Sequence, residues 1–175
     1  MIFNKTKLSD AYIIEIEKHE DKRGFFSRLW CKKEFENHGL DSRLAQTNIG
    51  FSIKRGTLRG LHYQKSPYQE VKVVRCTMGA IYDVIVDLRP DSPTYKQWVS
   101  VELSSMNRRM LYVPEGFAQG YITLVKNTEM SYQTSQFYSP EFARGVRYND
   151  PSFSIEWPIE VAVISEADKS WPNHA

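Results

Sequence analysis

Short runs rich in β-branched and aromatic residues, separated by glycine and proline, constrain the fold of this chain more than any other feature. Valine, isoleucine, tyrosine and threonine favour strands, and turn residues at such short intervals are typical of β-sandwiches and β-barrels. The runs occupy residues 11–17, 71–78, 80–89, 97–103, 109–114, 120–125 and 130–138. We therefore predict a mainly β fold, organised as a single domain over residues 1–175.

The run AIYDVIVDLR, residues 80–89, places its carboxylates at the period of a strand. In a strand, Asp83 and Asp87 lie on the same face as Ile81 and Ile85. Carboxylates among apolar residues on one face indicate a solvated barrel interior.

One segment, KKEFENHG at residues 32–39, is a convincing helix candidate. Gly39 stands where a C-terminal cap is expected, because glycine adopts the left-handed conformation that ends many helices.

Charge and hydropathy exclude several kinds of partner. The formal net charge of +2 is too small to indicate binding to nucleic acid or to an anionic membrane. The N-terminal segment lacks the pattern of a signal peptide, and no apolar run is long enough to cross a membrane. We expect a cytoplasmic protein in which Cys31 and Cys76, which lack metal-ligand spacing, are reduced thiols.

The densest cluster of chemically active residues is RGTLRGLHYQ, residues 55–64. Its glycines allow the backbone to bend tightly, and a histidine flanked by arginines suits an anionic ligand. Arg59 and His62 are the candidates. Taken alone, a single histidine is more often a packing residue than a functional one.

Several blocks, in order along nearly the whole chain, resemble the dTDP-4-dehydrorhamnose 3,5-epimerase family. They are DKRGFFSRLW (21–30), QTNIGFSIKRGTLRGLHYQ (46–64), KVVRCTMGAIYDVIVDLRPDSPTY (72–95), YVPEGFAQGY (112–121), SYQTSQFYSPE (131–141), RGVRYNDP (144–151) and ISEADKSWP (164–172). The resemblance implies a cupin-like antiparallel β-barrel, or jelly roll, with short flanking helices. It also implies a homodimer whose subunits exchange N-terminal strands.

Catalytic roles follow from this resemblance, position by position. It implies that His62 removes a proton beside a sugar ketone and that Asp168 orients it. It implies that Lys72 lies at the C4 oxygen and that Tyr132 returns a proton on the opposite face. These residue types suit the reaction, which needs a base that works near neutral pH and a group that stabilises an enolate.

The resemblance also assigns contacts with a nucleotide-diphosphate sugar. Arginine forks suit phosphate oxygens, and an aromatic ring suits stacking on a nucleotide base. The implied substrate-binding residues are Arg23, Arg28, Gln46, Asn48, Arg59, Gln119 and Tyr138.

We predict no metal and no other cofactor. Many cupins hold a metal through a His-x-His pair and a later histidine, yet this chain has LHYQ around His62 and GFAQGY with Gln119. The barrel would then offer at most one imidazole, and a single nitrogen ligand is too few to hold a transition metal firmly.

Four positions depart from the family pattern at sites implied to touch substrate. Arg28 replaces a glutamate, Gln119 a histidine, Ala143 a glutamate and Ala167 a lysine. Changes of charge alter selectivity more readily than fold, so the sugar, the nucleotide and the choice of C3, C5 or both stay open. The alternatives are a nucleotide-sugar 3,4-ketoisomerase and a non-catalytic sugar-nucleotide-binding cupin.

Overall fold

Short strands make up most of the regular secondary structure in the computed structural model, which describes residues 1–174. In chain order the elements are β1 Ile2–Lys5, β2 Tyr12–Glu15, β3 His19–Asp21, β4 Gly24–Phe26, α1 Lys32–Asn37, β5 Gln46–Ser52, β6 Thr57–Gln64, β7 Lys72–Met78, β8 Ala80–Asp87, β9 Trp98–Ser104, β10 Met110–Val113, β11 Phe117–Thr123, β12 Thr128–Thr134, β13 Ala143–Gly145, β14 Val163–Ile164 and α2 Glu166–Ser170. The mainly β fold predicted from the sequence is confirmed. Within residues 1–174, no helix is long and apolar enough to cross a membrane.

Two sheets, which we call sheet 1 and sheet 2, pack face to face. Sheet 1 has the order β1-β2-β10-β7-β12-β5, and sheet 2 has the order β13-β6-β11-β8-β9. Neighbours in both paths are antiparallel, whereas β14 joins β6 in parallel. The remaining strands, β3 and β4, form a separate hairpin.

The main core lies between the sheets. Val74 and Leu111 of sheet 1 meet Ile81, Ile85 and Leu103 of sheet 2, and all five are buried. A second apolar cluster lies where α1, through Phe35, packs against β2, β7 and β10.

Strand β8 alternates as predicted. Ile81 and Ile85 belong to the core between the sheets, whereas Val84 and Val86 pack in a third cluster with Phe153. Asp83 and Asp87 are also fully buried, so the face that carries them is enclosed rather than open to solvent.

The glycine-rich segment at 55–64 differs from its prediction as a tightly bending region. Most of it is the continuous strand β6. Gly60 lies within this strand and allows β11 to approach closely, rather than forming a turn. A Cβ added at Gly60 would lie 2.5 Å from Gly120 Cα on β11, where the pairing register shifts. The lack of side chains at both positions lets the two strands come together.

Both helices are short. The predicted helix at 32–39 is confirmed as α1, with Gly39 at φ 69° just beyond its end. The second helix, α2, was not individually predicted, although it carries Asp168.

Candidate active site

His62 and Asp168 are brought together from distant parts of the chain. His62 Nε2 lies 2.6 Å from Asp168 Oδ1. His62 is on β6 in sheet 2, and its side chain is 45% exposed, whereas the side chain of Asp168 is 9% exposed. With Nε2–H donating to the carboxylate, Nδ1 is the ring nitrogen left to accept a proton.

The carboxylate of Asp168 is held in its charged form. Burial on its own raises the pKa of Asp168, but the hydrogen bond and charge of His62, with help from Ser165, hold that pKa below its ordinary value. Ser165 also caps α2, because its hydroxyl accepts a hydrogen bond from the Asp168 backbone N–H at 3.1 Å.

Two chambers meet at His62, Lys72 and Tyr132, which line both. The larger chamber has a volume of about 630 Å³. The smaller chamber has a volume of about 260 Å³ and also contains Asp168. The larger one is in the range of small-molecule sites, so a ligand can extend from it to the histidine.

Tyr132 approaches the chambers from the other sheet. It lies on β12 in sheet 1, whereas His62 lies on β6 in sheet 2. Burial raises the pKa of the Tyr132 phenol, and the negative charge of Glu70 raises it further. The phenol is therefore protonated near neutral pH and is able to act as an acid.

Lys72 is a nearly buried cation beside the histidine. Its ammonium lies 3.3 Å from Glu70 Oε1 and donates to the backbone oxygen of His62 at 3.4 Å. The side chains of Lys72 and Glu70 are 10% and 11% exposed. A cation so shielded from water interacts more strongly with negative charge that develops in the chamber.

Gln119 and Asp83 form a buried polar pair at the smaller chamber. Gln119 Nε2 donates to Asp83 Oδ1 at 2.6 Å. Asp83 Oδ2 accepts no hydrogen bond from any described residue. Burial raises the pKa of Asp83 to about 7, although Gln119 and Lys72 act against that rise.

Five predicted substrate-binding residues line the chambers. Gln46, Asn48 and Tyr138 line the larger one, where Gln46 Oε1 accepts a hydrogen bond from the Tyr138 backbone N–H at 2.7 Å. Arg59 and Gln119 line the smaller one.

The other two, Arg23 and Arg28, line neither chamber of the described chain. Arg23 is 84% exposed on the β3–β4 hairpin and pairs with Asp21. Arg28 pairs with Glu34 of α1 at 2.7 Å.

Of the remaining family departures, Ala143 lines the larger chamber, whereas Ala167 is exposed on α2 and lines neither. Two of the four departures, Gln119 and Ala143, thus line the chambers of the described chain, whereas Arg28 and Ala167 do not.

Sequence reasoning missed Glu70, Arg144 and Trp171, which also line the larger chamber. Glu70 precedes Lys72 by two residues, a spacing that places both on one face of an extended segment. Trp171 follows Asp168 by one turn of a helix, a spacing that could be read only once α2 was recognised.

In the described part of the chain, no group of three or more His, Cys, Asp and Glu residues is arranged to hold a metal ion. The Asp87 carboxylate, on the same face of β8 as Asp83, accepts hydrogen bonds from Arg89, Ser92 and Thr94.

Comparison with known proteins connects this geometry to a family. The family model described as dTDP-4-dehydrorhamnose 3,5-epimerase matches residues 5–175. A dTDP-4-dehydrorhamnose 3,5-epimerase of Sinorhizobium fredii is 43% identical over 174 residues, which cover 99% of this chain and 89% of the relative.

Solved structures agree with the sequence match. A dTDP-4-dehydrorhamnose 3,5-epimerase from Bacillus anthracis, with TDP and PPi bound, is 42% identical with a TM-score of 0.95, covering 99% of each chain. A dTDP-6-deoxy-D-glucose-3,5-epimerase from Legionella pneumophila, in complex with dTDP-4-keto-L-rhamnose, is 36% identical with a TM-score of 0.91, covering 98% of this chain and 92% of the other.

Proposed function

This chain belongs to the dTDP-4-dehydrorhamnose 3,5-epimerase family, and we propose that it epimerises C3, C5 or both in a nucleotide-linked 4-keto-6-deoxyhexose. The observation that carries the proposal is the oriented His62–Asp168 pair in sheet 2, with Tyr132 of sheet 1 lining the same chambers. The uninterrupted family match over residues 5–175 also supports a single domain.

The first step is removal of a proton next to the ketone. A ketone makes the neighbouring C–H weakly acidic, and His62 Nδ1 takes that proton while Nε2–H stays bonded to Asp168. Asp168 stabilises the imidazolium that forms and fixes the ring orientation. The C–H bond electrons become the C=C bond of an enolate, whose charge rests on the C4 oxygen.

Lys72 is the group that meets this oxygen. Its ammonium is nearly buried at the junction of the two chambers. The salt bridge with Glu70 holds the ammonium in place, so the lysine is oriented before substrate arrives.

Inversion requires a proton from the opposite face. Tyr132 donates its phenolic proton to the carbon, the enolate returns to the ketone, and solvent later restores the phenol and the free imidazole. The opposed sheets that carry Tyr132 and His62 support this assignment.

A homodimer is part of the proposal. Arg23 and Arg28 lie outside the chambers of their own chain, on and beside the exposed β3–β4 hairpin. Exchange of N-terminal strands between two subunits would bring such a hairpin to a partner's site. Exposed apolar side chains on this hairpin and on β5, such as Phe26 and Phe51, support association.

The substrate preference depends on the altered positions. Gln119 and Ala143 line the chambers and stand where the family pattern has an ionisable histidine and glutamate. Each charge-assisted hydrogen bond lost in this way costs roughly 1.5 to 3 kcal/mol. We therefore expect slower turnover of the dTDP sugar than in typical family members. The specificity constants for dTDP, CDP and GDP 4-keto-6-deoxy sugars test this, with C3 and C5 scored separately. Fastest turnover of the dTDP sugar at both carbons would refute it.

Solvent exchange tests the function itself. In deuterium oxide the wild-type protein should place deuterium at C3, C5 or both of a nucleotide 4-keto-6-deoxy sugar, as read by NMR. His62→Asn should abolish exchange while keeping the fold. A product ketone at C3 would identify the ketoisomerase, and absence of exchange with bound nucleotide sugar would identify the non-catalytic binding protein.

A further inference from the structure

Trp171 makes a polar contact with the His62–Asp168 pair. Its indole Nε1–H donates to Asp168 Oδ1 at 3.3 Å, and this is the same oxygen that lies 2.6 Å from His62 Nε2. The indole ring also stands edge-on to the imidazole, with ring centroids 6.2 Å apart and planes at 72°. Trp171 therefore touches both members of the pair.

The indole is itself held in place by the end of β13 and the residues after it. A Cβ added at Gly145 would lie 2.4 to 2.5 Å from ring atoms of Trp171, so the ring rests directly on the glycine backbone. Arg147 Nε donates to the Trp171 backbone oxygen at 3.1 Å. The Arg147 backbone N–H donates to the oxygen of Pro172, also at 3.1 Å.

Such support is needed because α2 has little stability of its own. The helix has five residues, and helices this short do not persist in water without tertiary contacts. Ser165 fixes its first turn, and Trp171 is the residue that ends it. The position of the Asp168 carboxylate thus depends on how the end of the helix is anchored.

We propose that Trp171 is a positioning residue, which uses its indole N–H and its seat on Gly145 to fix the Asp168 carboxylate against His62. The inference rests on the proposed function, because it concerns the base of that reaction. Removing the N–H lets the Asp168 carboxylate adopt more orientations. Small misplacements of a catalytic group lower the rate more than they weaken ligand binding.

The test is Trp171→Phe, which keeps an aromatic ring on Gly145 and removes the N–H. Loss of one hydrogen bond to a charged group should lower kcat about tenfold, with KM and the Kd for the free nucleoside diphosphate changed less than about twofold. The matched control is Trp157→Phe, since the Trp157 indole N–H donates to the Tyr148 backbone oxygen at 3.0 Å, away from the chambers. The control should keep the wild-type kcat.

A second variant tests the contact between the Trp171 ring and Gly145. Gly145→Ala displaces the ring and should lower kcat at least as much as Trp171→Phe, again with nucleotide affinity retained. Wild-type kcat in Trp171→Phe would overturn the inference, as would an equal loss in Trp157→Phe. If the wild-type protein itself shows no solvent exchange, the proposed function fails first, so the two failures are distinguishable.

Discussion

At the scale of single residues, Tyr132 makes a sharp prediction about stereochemistry. Tyr132→Phe removes the acid on sheet 1 but leaves His62 and Asp168 in place. We expect continued exchange of substrate protons for deuterium, with configuration retained and inversion lost, because His62 returns the proton to the face from which it came. NMR of the product in deuterium oxide measures both. Normal inversion would show that another acid acts.

Asp83 makes a prediction about stability. Its pKa is raised to about 7 from 3.8, so the native state keeps a proton that the unfolded chain releases. Stability contributed by this group is therefore highest in acid and falls as pH rises from about 4 to 7. Asp83→Asn should flatten that part of the stability curve and should be more stable than wild type above pH 7, as measured by urea unfolding.

Asp87 is the matched control on the same strand. It too is fully buried, yet its hydrogen bonds with Arg89, Ser92 and Thr94 outweigh burial and hold its pKa below the ordinary value. Asp87→Asn should therefore lose stability at neutral pH, and that loss should shrink in acid. The same sign for both variants would contradict this assignment of their charge states.

At the scale of elements, the contact between β6 and β11 depends on Gly60. Gly60 and Gly24 both have positive φ angles, of 120° and 127°. A Cβ at Gly60 would lie 2.5 Å from Gly120 Cα, whereas one at Gly24 would meet no described atom within 4 Å. Gly24→Ala should cost about 1 to 3 kcal/mol of unfolding free energy, and Gly60→Ala clearly more, with loss of activity.

Urea unfolding of the two variants measures the difference. Equal losses would mean that β6 and β11 can separate without penalty, which would contradict the role of Gly60 in the close approach of the two strands.

The same elements show how far sequence reasoning reached. Runs such as 80–89 were predictable because apolar positions alternate with the period of a strand. Strand β6 was missed because its glycines resemble turn residues, and their real role depends on Gly120 of another strand. Helix α2 was not predicted on its own because its five residues are stabilised by contacts from elsewhere in the fold.

The candidate site was predictable to a similar degree. His62, Lys72, Tyr132 and Asp168 were assigned by resemblance, and the structure brings them together. Trp171 was missed because its contact with Asp168 arises from tertiary structure.

At the scale of the whole molecule, we predict a homodimer. Phe51 on edge strand β5 is 48% exposed and Phe26 on the hairpin is 74% exposed. Sedimentation should give twice the 20.4 kDa of one chain. Phe51→Glu should shift the mass toward the monomer, whereas Val163→Glu, on β14 of sheet 2, should not. A wild-type mass near 20.4 kDa would remove the dimer from the proposal.

His62 and Tyr132 stand on different sheets, and Tyr132 packs against the core that separates them. The gap between the proposed base and acid is therefore set by the thickness of that core, in which Val74, Ile85 and Leu103 are completely buried. A substitution there that keeps the fold but changes side-chain volume alters how far the acid reaches. The configuration of the product is thus expected to depend also on apolar residues such as Val74 and Leu103, which line neither chamber.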